Sequence, residues 1–157
     1  MVKVGGRAPA FSLVDTERRP VKLADFVGKP VVLAFYPGAF TKVCQRELCA
    51  FRDMLANLEA LDAQVVGISV DSPWANGAFA AANRIEFPLL SDYSRAVSRQ
   101  YGGVHEDFAG LPGYAVAKRA VFVVDGAGIV RYAWVSDDPG VEPPYAAVES
   151  ALRAIKG

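Results

Sequence analysis

This chain has few of the residues that build metal centres or permanent disulfide frameworks. Its 157 residues include two cysteines and one histidine, too few for the four protein ligands of a structural zinc site. It also has no block of like charge, because 17 basic residues balance 17 acidic ones. We therefore expect neither a nucleic acid nor an anionic membrane surface as a partner. No apolar run is long enough to span a bilayer, so the expected partner is a small molecule or another protein.

The amino-terminal segment gives no sign of export. Residues 1–9 lack the apolar core of a signal peptide, so we expect the protein in the cytoplasm. Two cysteines in that reducing compartment are not expected to form a permanent bridge, and redox chemistry is the better use for them. The composition, 52% hydrophobic with 14 glycines and 10 prolines, is typical of one compact domain, which we expect to cover residues 1–157.

The order of apolar patterns is typical of an α/β fold. Buried strands are predicted at 31–36 and 65–70, with a helix from about 41 to 61 between them. This spacing predicts a parallel βαβ unit with a right-handed crossover. Later runs at 121–124 and 129–135 flank a glycine-rich turn and predict an antiparallel hairpin.

Shorter elements surround this framework. The patterns predict an opening hairpin, two short helices and a closing helix, at 11–23, 74–83, 91–102 and from 143 onward. Together the elements predict a thioredoxin-like three-layer sandwich, an α/β fold with a mixed β-sheet and helices on both faces.

The first cysteine lies where the long helix begins. Cys44 follows the strand at 31–36 and a tight loop, a position where free backbone N–H groups favour an anion. The apolar residues of the helix recur at spacings of three and four, and Cys44 extends that stripe by one turn. We therefore expect Cys44 to face the sheet.

An ionised Cys44 needs more than a helix terminus. Lowering a thiol pKa from about 8.5 to about 6 takes about 3.4 kcal/mol. A helix end supplies about 0.3–2 kcal/mol, and a hydrogen bond from a charged group about 1.5–3 kcal/mol. The two together are sufficient, so we expect a guanidinium beside Cys44, although the spacing alone does not select one arginine.

The second cysteine lies off the apolar stripe. Cys49 is rotated about 100° from Leu48 and has polar helical neighbours. On an intact helix the Cα atoms of Cys44 and Cys49 lie about 8–9 Å apart, beyond the ~7 Å limit for a disulfide. If these thiols pair during turnover, the first turn of the helix must unwind.

The motif Pro37-x-x-x-Thr41-x-x-Cys44 resembles the active-site signature of the peroxiredoxins. Similar blocks occur along almost the whole chain, at 4–13, 23–29, 87–92 and 119–125. The resemblance implies that Cys44 is the peroxidatic cysteine, that Thr41 bonds to the thiolate and the peroxide, and that Pro37 shields the pocket. It also implies that Arg119 is the expected guanidinium and that Glu47 orients it.

The chain resembles two groups within that family. Residues 40–44 are most similar to the one-cysteine alkyl hydroperoxide reductase E group. Cys49, in contrast, stands where many bacterioferritin-comigratory, or Q-type, members carry their resolving cysteine. The resemblance implies that hydrogen peroxide or an organic hydroperoxide oxidises Cys44, that Cys49 then forms an intramolecular disulfide, and that a thioredoxin-like or glutaredoxin-like protein reduces it. It implies no cofactor and no metal, and we expect a monomer or homodimer.

Two other functions stay open at this point. A thioredoxin-type disulfide oxidoreductase has the same fold, but it needs a Cys-x-x-Cys pair and a proline before the hairpin, where this chain has Lys118 and Arg119. A redox-sensing or chaperone-like binding module would signal through unwinding around Cys44. Each candidate residue also has an ordinary interpretation: an inert core thiol for Cys44, a half-buried residue for Cys49, a helix cap for Thr41, a solvated charge for Arg119 and a surface residue for Glu47.

Overall fold

The computed structural model describes residues 2–156. Its centre is a seven-stranded mixed sheet in the order β2-β1-β5-β4-β3-β8-β9, and β6 and β7 form a separate two-stranded sheet. The strands are β1 Ser12–Val14, β2 Pro20–Lys22, β3 Val31–Phe35, β4 Gln64–Ser69, β5 Leu89–Ser91, β6 Val104–His105, β7 Val116–Ala117, β8 Ala120–Val124 and β9 Val130–Val135. The α-helices are α1 Lys42–Ala60, α2 Pro73–Asn83, α3 Ala96–Tyr101 and α4 Tyr145–Lys156. Within this described part of the chain, no helix has both the length and the apolarity to cross a membrane.

The sheet has the predicted framework and one strand that the sequence analysis missed. The parallel pair β3–β4, the antiparallel hairpin β8–β9 and the opening hairpin β1–β2 are confirmed. Strand β5 was not predicted, because three residues are too few to show a periodic pattern. The helix predicted to begin at 91 starts at Ala96, where the Asp92 carboxylate accepts the backbone N–H groups of Val97 and Ser98. Asp92 therefore stabilises the start of α3 from four residues before it.

Strand β3 separates two apolar layers. Its side chains alternate in direction, as the strand period of two requires. Val31, Leu33 and Phe35 pack with residues that include Tyr101 of α3. Val32 and Ala34 pack on the other face, with Cys44, Leu48 and Phe51 of α1, Phe79 of α2 and Val148 of α4. The predicted three-layer sandwich is confirmed.

The strand directions bring several chain segments together at one edge of the sheet. Phe35 at the end of β3 lies opposite Ile68 of parallel β4 and opposite Ala120 at the start of antiparallel β8. Ala120 in turn lies opposite Val135 at the end of β9. The loop before α1, the loops after β4 and β9, and the residue before β8 therefore all meet at this edge.

Candidate active site

A thiol and a guanidinium meet at this edge of the sheet. Cys44, in the first turn of α1, is fully buried. Arg119, directly before β8, is 1% exposed, and its Nη2 donates to Cys44 Sγ at 3.2 Å. The expected guanidinium thus lies beside the thiol, and the interpretation of Arg119 as a solvated charge is wrong.

Two further groups fix the guanidinium of Arg119. Its Nη1 donates to Oε1 of Glu47 at 2.6 Å, and its Nη2 also donates to the backbone oxygen of Pro139 at 2.9 Å. Glu47 is fully buried, so its interpretation as a surface residue is wrong as well. A guanidinium is planar and presents its donors in a rigid fork, so these acceptors set the direction from which Arg119 meets the sulfur of Cys44.

Thr41 lies at the solvent-exposed side of the site. It occupies the N-cap position of α1 with extended backbone, but its side chain caps no helical N–H group. Its hydroxyl instead donates to the backbone oxygen of Gly38 at 2.8 Å. Thr41 is therefore the cap residue by position only, and its hydroxyl stabilises the active-site loop instead. Pro37, at the start of this loop, is buried.

A hydrogen-bond network at the ends of β3 and β4 and the start of α2 supports the same loop. The backbone N–H of Ala39 donates to Oδ2 of Asp71 at 2.8 Å, and this oxygen also accepts from Ser69 Oγ at 3.0 Å. Oδ1 of Asn76 lies 3.1 Å from Ser69 Oγ and accepts from the Tyr36 hydroxyl at 2.7 Å. The ends of β3 and β4 and the first turns of α2 thus fix the loop on which Thr41 lies.

Several residues of this arrangement were not predicted from the sequence, Asp71 and Pro139 among them. Asp71 directly follows the strand predicted at 65–70, and a polar residue in that position is a usable indication of a site at the sheet edge. Pro139 acts through its backbone oxygen, which every residue type carries. Its contribution therefore has no signal in the sequence.

Burial opposes the ionisation of Cys44. It raises the pKa of this thiol above the ordinary value, and Arg119 is the largest influence in the other direction, followed by Thr41 and the Gly38 backbone. The expectation of a lowered thiol pKa does not include this cost of desolvating the thiolate. Arg119 is the group on which ionisation of Cys44 depends most.

Glu47 competes with Cys44 for the same guanidinium. Burial raises the pKa of Glu47 to about 7, against the lowering influence of Arg119. Protonation of Glu47 removes a negative charge from beside Arg119. The positive charge of Arg119 is then balanced by the Cys44 thiolate alone, so the ionisation states of the two acids are coupled through Arg119.

We expect Glu47 to make the protein less stable as the pH rises from about 4.5 to about 7. A carboxyl whose pKa is raised on folding binds more protons in the folded state, so the free energy of unfolding falls with pH across that window. Urea unfolding of Cys44→Ser and of Cys44→Ser/Glu47→Gln at several pH values measures the effect without the thiol. As the pH rises through this window, the free energy of unfolding of the first variant should fall relative to that of the second. If the two free energies change with pH in parallel, the raised pKa of Glu47 is contradicted.

The structure does not bring Cys49 to Cys44. Both cysteines are free, and Cys49 is half-buried on an unbroken α1. Its Sγ lies 3.7 Å from Oδ1 of Asn83 at the end of α2. As expected from the helix geometry, a bond between the two sulfurs requires α1 to unwind between them.

The sequence and the fold are similar to known proteins. Residues 4–133 match the model of the AhpC/TSA family. The chain is 42% identical over 130 residues to chloroplastic peroxiredoxin Q of Sedum lineare, covering 83% of this chain and 67% of that protein. It is 38% identical to peroxiredoxin-2 of Bos taurus, covering 98% of this chain and 77% of that protein.

Solved structures agree with these sequence matches. Peroxidoxin BcpB from Mycobacterium tuberculosis superposes with a TM-score of 0.88 at 33% identity, over all of both chains. Peroxiredoxin Q from Xanthomonas campestris superposes with a TM-score of 0.81 at 27% identity, over 94% of this chain and 92% of that one. The likeness therefore covers the sheet edge that carries Cys44 and Arg119, together with the helices around it.

Proposed function

Because this chain belongs to the AhpC/TSA family and is a peroxiredoxin of the Q type, a thiol-dependent peroxidase, we propose that it reduces hydrogen peroxide and alkyl hydroperoxides through Cys44. The observation that carries the proposal is the 3.2 Å contact between Arg119 Nη2 and Cys44 Sγ in a buried site. A thiolate is the reactive form of cysteine, and this contact stabilises it.

The first step is attack by the Cys44 sulfur on one peroxide oxygen. The S–O bond forms as the O–O bond breaks, and the second oxygen takes a proton and leaves as water or an alcohol. Arg119 and the backbone N–H of Cys44 donate to the two oxygens, and so does the Thr41 hydroxyl once its proton turns from the Gly38 oxygen to the peroxide. These donors stabilise the charge that moves to the leaving oxygen. Glu47 keeps the guanidinium of Arg119 in position. Cys44 is left as a sulfenic acid.

The second step uses Cys49. Its thiol attacks the Cys44 sulfur, a disulfide forms, and the sulfenic oxygen leaves as water. A dithiol protein of the thioredoxin-like or glutaredoxin-like kind then reduces the disulfide by exchange, in the cytoplasm where we place the enzyme. The free thiol of Cys49 in the same helix as Cys44 supports this step.

Intact mass after one equivalent of peroxide tests both steps. The wild-type protein should lose two hydrogens, because an internal disulfide forms. Cys49→Ser should instead gain one oxygen, because the sulfenic acid has no internal partner. Cys44→Ser is the control, and its mass should stay unchanged. A wild-type protein that gains oxygen and leaves Cys49 free would contradict resolution by Cys49 and keep the peroxidatic role of Cys44.

A further inference from the structure

One residue of α2 contacts three turns of α1. Asn83 faces Gln45, Cys49 and Arg52, which lie on one stripe of α1 because they are four and three residues apart. Nε2 of Gln45 donates to Asn83 Oδ1 at 2.9 Å, and Cys49 Sγ lies 3.7 Å from the same oxygen. Nη1 of Arg52 donates to the backbone oxygen of Asn83 at 2.6 Å. These contacts tie the end of α2 to the part of α1 that contains Cys49.

The orientation of the Asn83 side chain is fixed from its own helix. Asn83 is the last residue of α2, 8% exposed, and its Nδ2 donates to the backbone oxygen of Phe79 at 3.0 Å. Helix α2 ends there because Arg84 has a left-handed backbone with φ of 53°. With Nδ2 occupied in this way, Oδ1 is the atom directed at α1.

One contact of Asn83 lies inside the segment of α1 that must unwind, and another lies beyond it. A disulfide between Cys44 and Cys49 requires the turns between them to open. Gln45 lies inside that segment and is held by the Asn83 side chain. Arg52 lies beyond it and is held by the Asn83 backbone. The side chain therefore restrains the part that moves, and the backbone holds the part that stays.

We propose that Asn83 is a positioning residue for the resolving step: through Gln45 its side chain keeps the first turns of α1 closed, and its backbone holds Arg52 in place when those turns open. The proposal rests on the proposed role of Cys49. It also predicts a competition between two reactions of the Cys44 sulfenic acid. While the first turns of α1 stay helical, Cys49 does not reach the sulfenic acid. A second peroxide can then oxidise it to sulfinic acid, with release of water or an alcohol.

Two substitutions of Asn83 separate this role from a general effect on stability. Asn83→Ala removes the acceptor for Gln45, whereas Asn83→Asp keeps an acceptor oxygen, and both lose the bond to Phe79. Gln45→Ala removes the same tether from the other side. We expect backbone amides of residues 42–48 to exchange hydrogen about three- to fivefold faster in Asn83→Ala and Gln45→Ala, and within about twofold of wild type in Asn83→Asp. Residues 53–60 serve as the internal control.

The double variant Gln45→Ala/Asn83→Ala tests whether the two residues act through one contact. If they do, its exchange in 42–48 should be no faster than in either single variant. With limiting peroxide, disulfide should also form about three- to fivefold faster in Asn83→Ala than in wild type, and excess peroxide should give less sulfinic acid. Additive effects, unchanged exchange, or equal behaviour of Asn83→Ala and Asn83→Asp would overturn the proposal.

Failure of the proposed function gives a different result. If the wild-type protein forms no disulfide, Cys49 is not the resolving residue and the positioning role falls with it. The exchange rates would still show whether Asn83 restrains α1. If the disulfide forms at the same rate in wild type and Asn83→Ala, resolution by Cys49 stands and the role of Asn83 is refuted.

Discussion

Replacing Cys44 with serine should abolish peroxide reduction and leave the fold intact. A serine hydroxyl fills nearly the same volume but is not ionised beside Arg119, so the attack on the O–O bond has no nucleophile. We expect the second-order rate constant for peroxide consumption to fall on the order of 10⁴-fold or more. Stopped-flow measurement with a dithiol reductant gives this constant, and circular dichroism checks the fold.

The matched control for this experiment is Cys49→Ser. It removes the other thiol and leaves the site around Cys44 intact, so its first turnover should be as fast as in the wild-type protein. Only its later cycles should slow with a dithiol protein as reductant. A fast first turnover in Cys44→Ser would assign the attack to another residue, and a slow one in Cys49→Ser would show that Cys49 acts before the sulfenic acid forms.

Replacing Arg119 with methionine should lower the rate constant by about 10²–10³-fold. The substitution removes donors aimed at the charge that develops on the leaving oxygen, a loss of that size in other enzymes. It should also raise the pKa of Cys44 further, because Arg119 is the largest influence that lowers it. The rate constant measured against pH should therefore rise at higher pH than in the wild-type protein.

The buried partner of Arg119 needs its own control. Arg119→Met alone leaves buried Glu47 without its cation, so the pKa of Glu47 rises further and the carboxyl takes up a proton. Removing one partner of a buried ion pair in this way costs about 3–5 kcal/mol of stability. Arg119→Met/Glu47→Gln removes both charges and should fold well while staying slow. Glu47→Gln alone should lower the rate constant less than Arg119→Met does, because the amide oxygen can still accept from Arg119 and keep the guanidinium beside Cys44. A double variant with the wild-type rate constant would refute the role of Arg119 in catalysis.

The sequence predicted the elements with strong periodicity and the thiol chemistry. Strand β3, helix α1 and the β8–β9 hairpin have clear patterns, and the placement of Cys44 at the mouth of α1 follows from them. Arg119 came from the family resemblance, because antiparallel β8 brings it to a residue 75 positions away in the chain.

The missing parts depend on tertiary contacts. Strand β5 has three residues, Asn83 lies at a helix end that meets another helix, and Pro139 contributes a backbone oxygen. The direction in which the pKa of Cys44 shifts depends on how far the folded chain excludes water from the sulfur. None of these features is determined by the local sequence, whereas the hydrophobic periodicity of a strand or helix is.

The contact between Arg119 and Pro139 has a consequence for how such enzymes diverge. Pro139 lies beyond the residues 4–133 that match the family model, yet its backbone oxygen holds the guanidinium that meets Cys44. The same carboxy-terminal segment also reaches α1 through the ion pair of Glu142 and Arg46. Insertions or deletions after β9 can therefore change the reactivity of the sulfur while every residue of the signature motif stays the same.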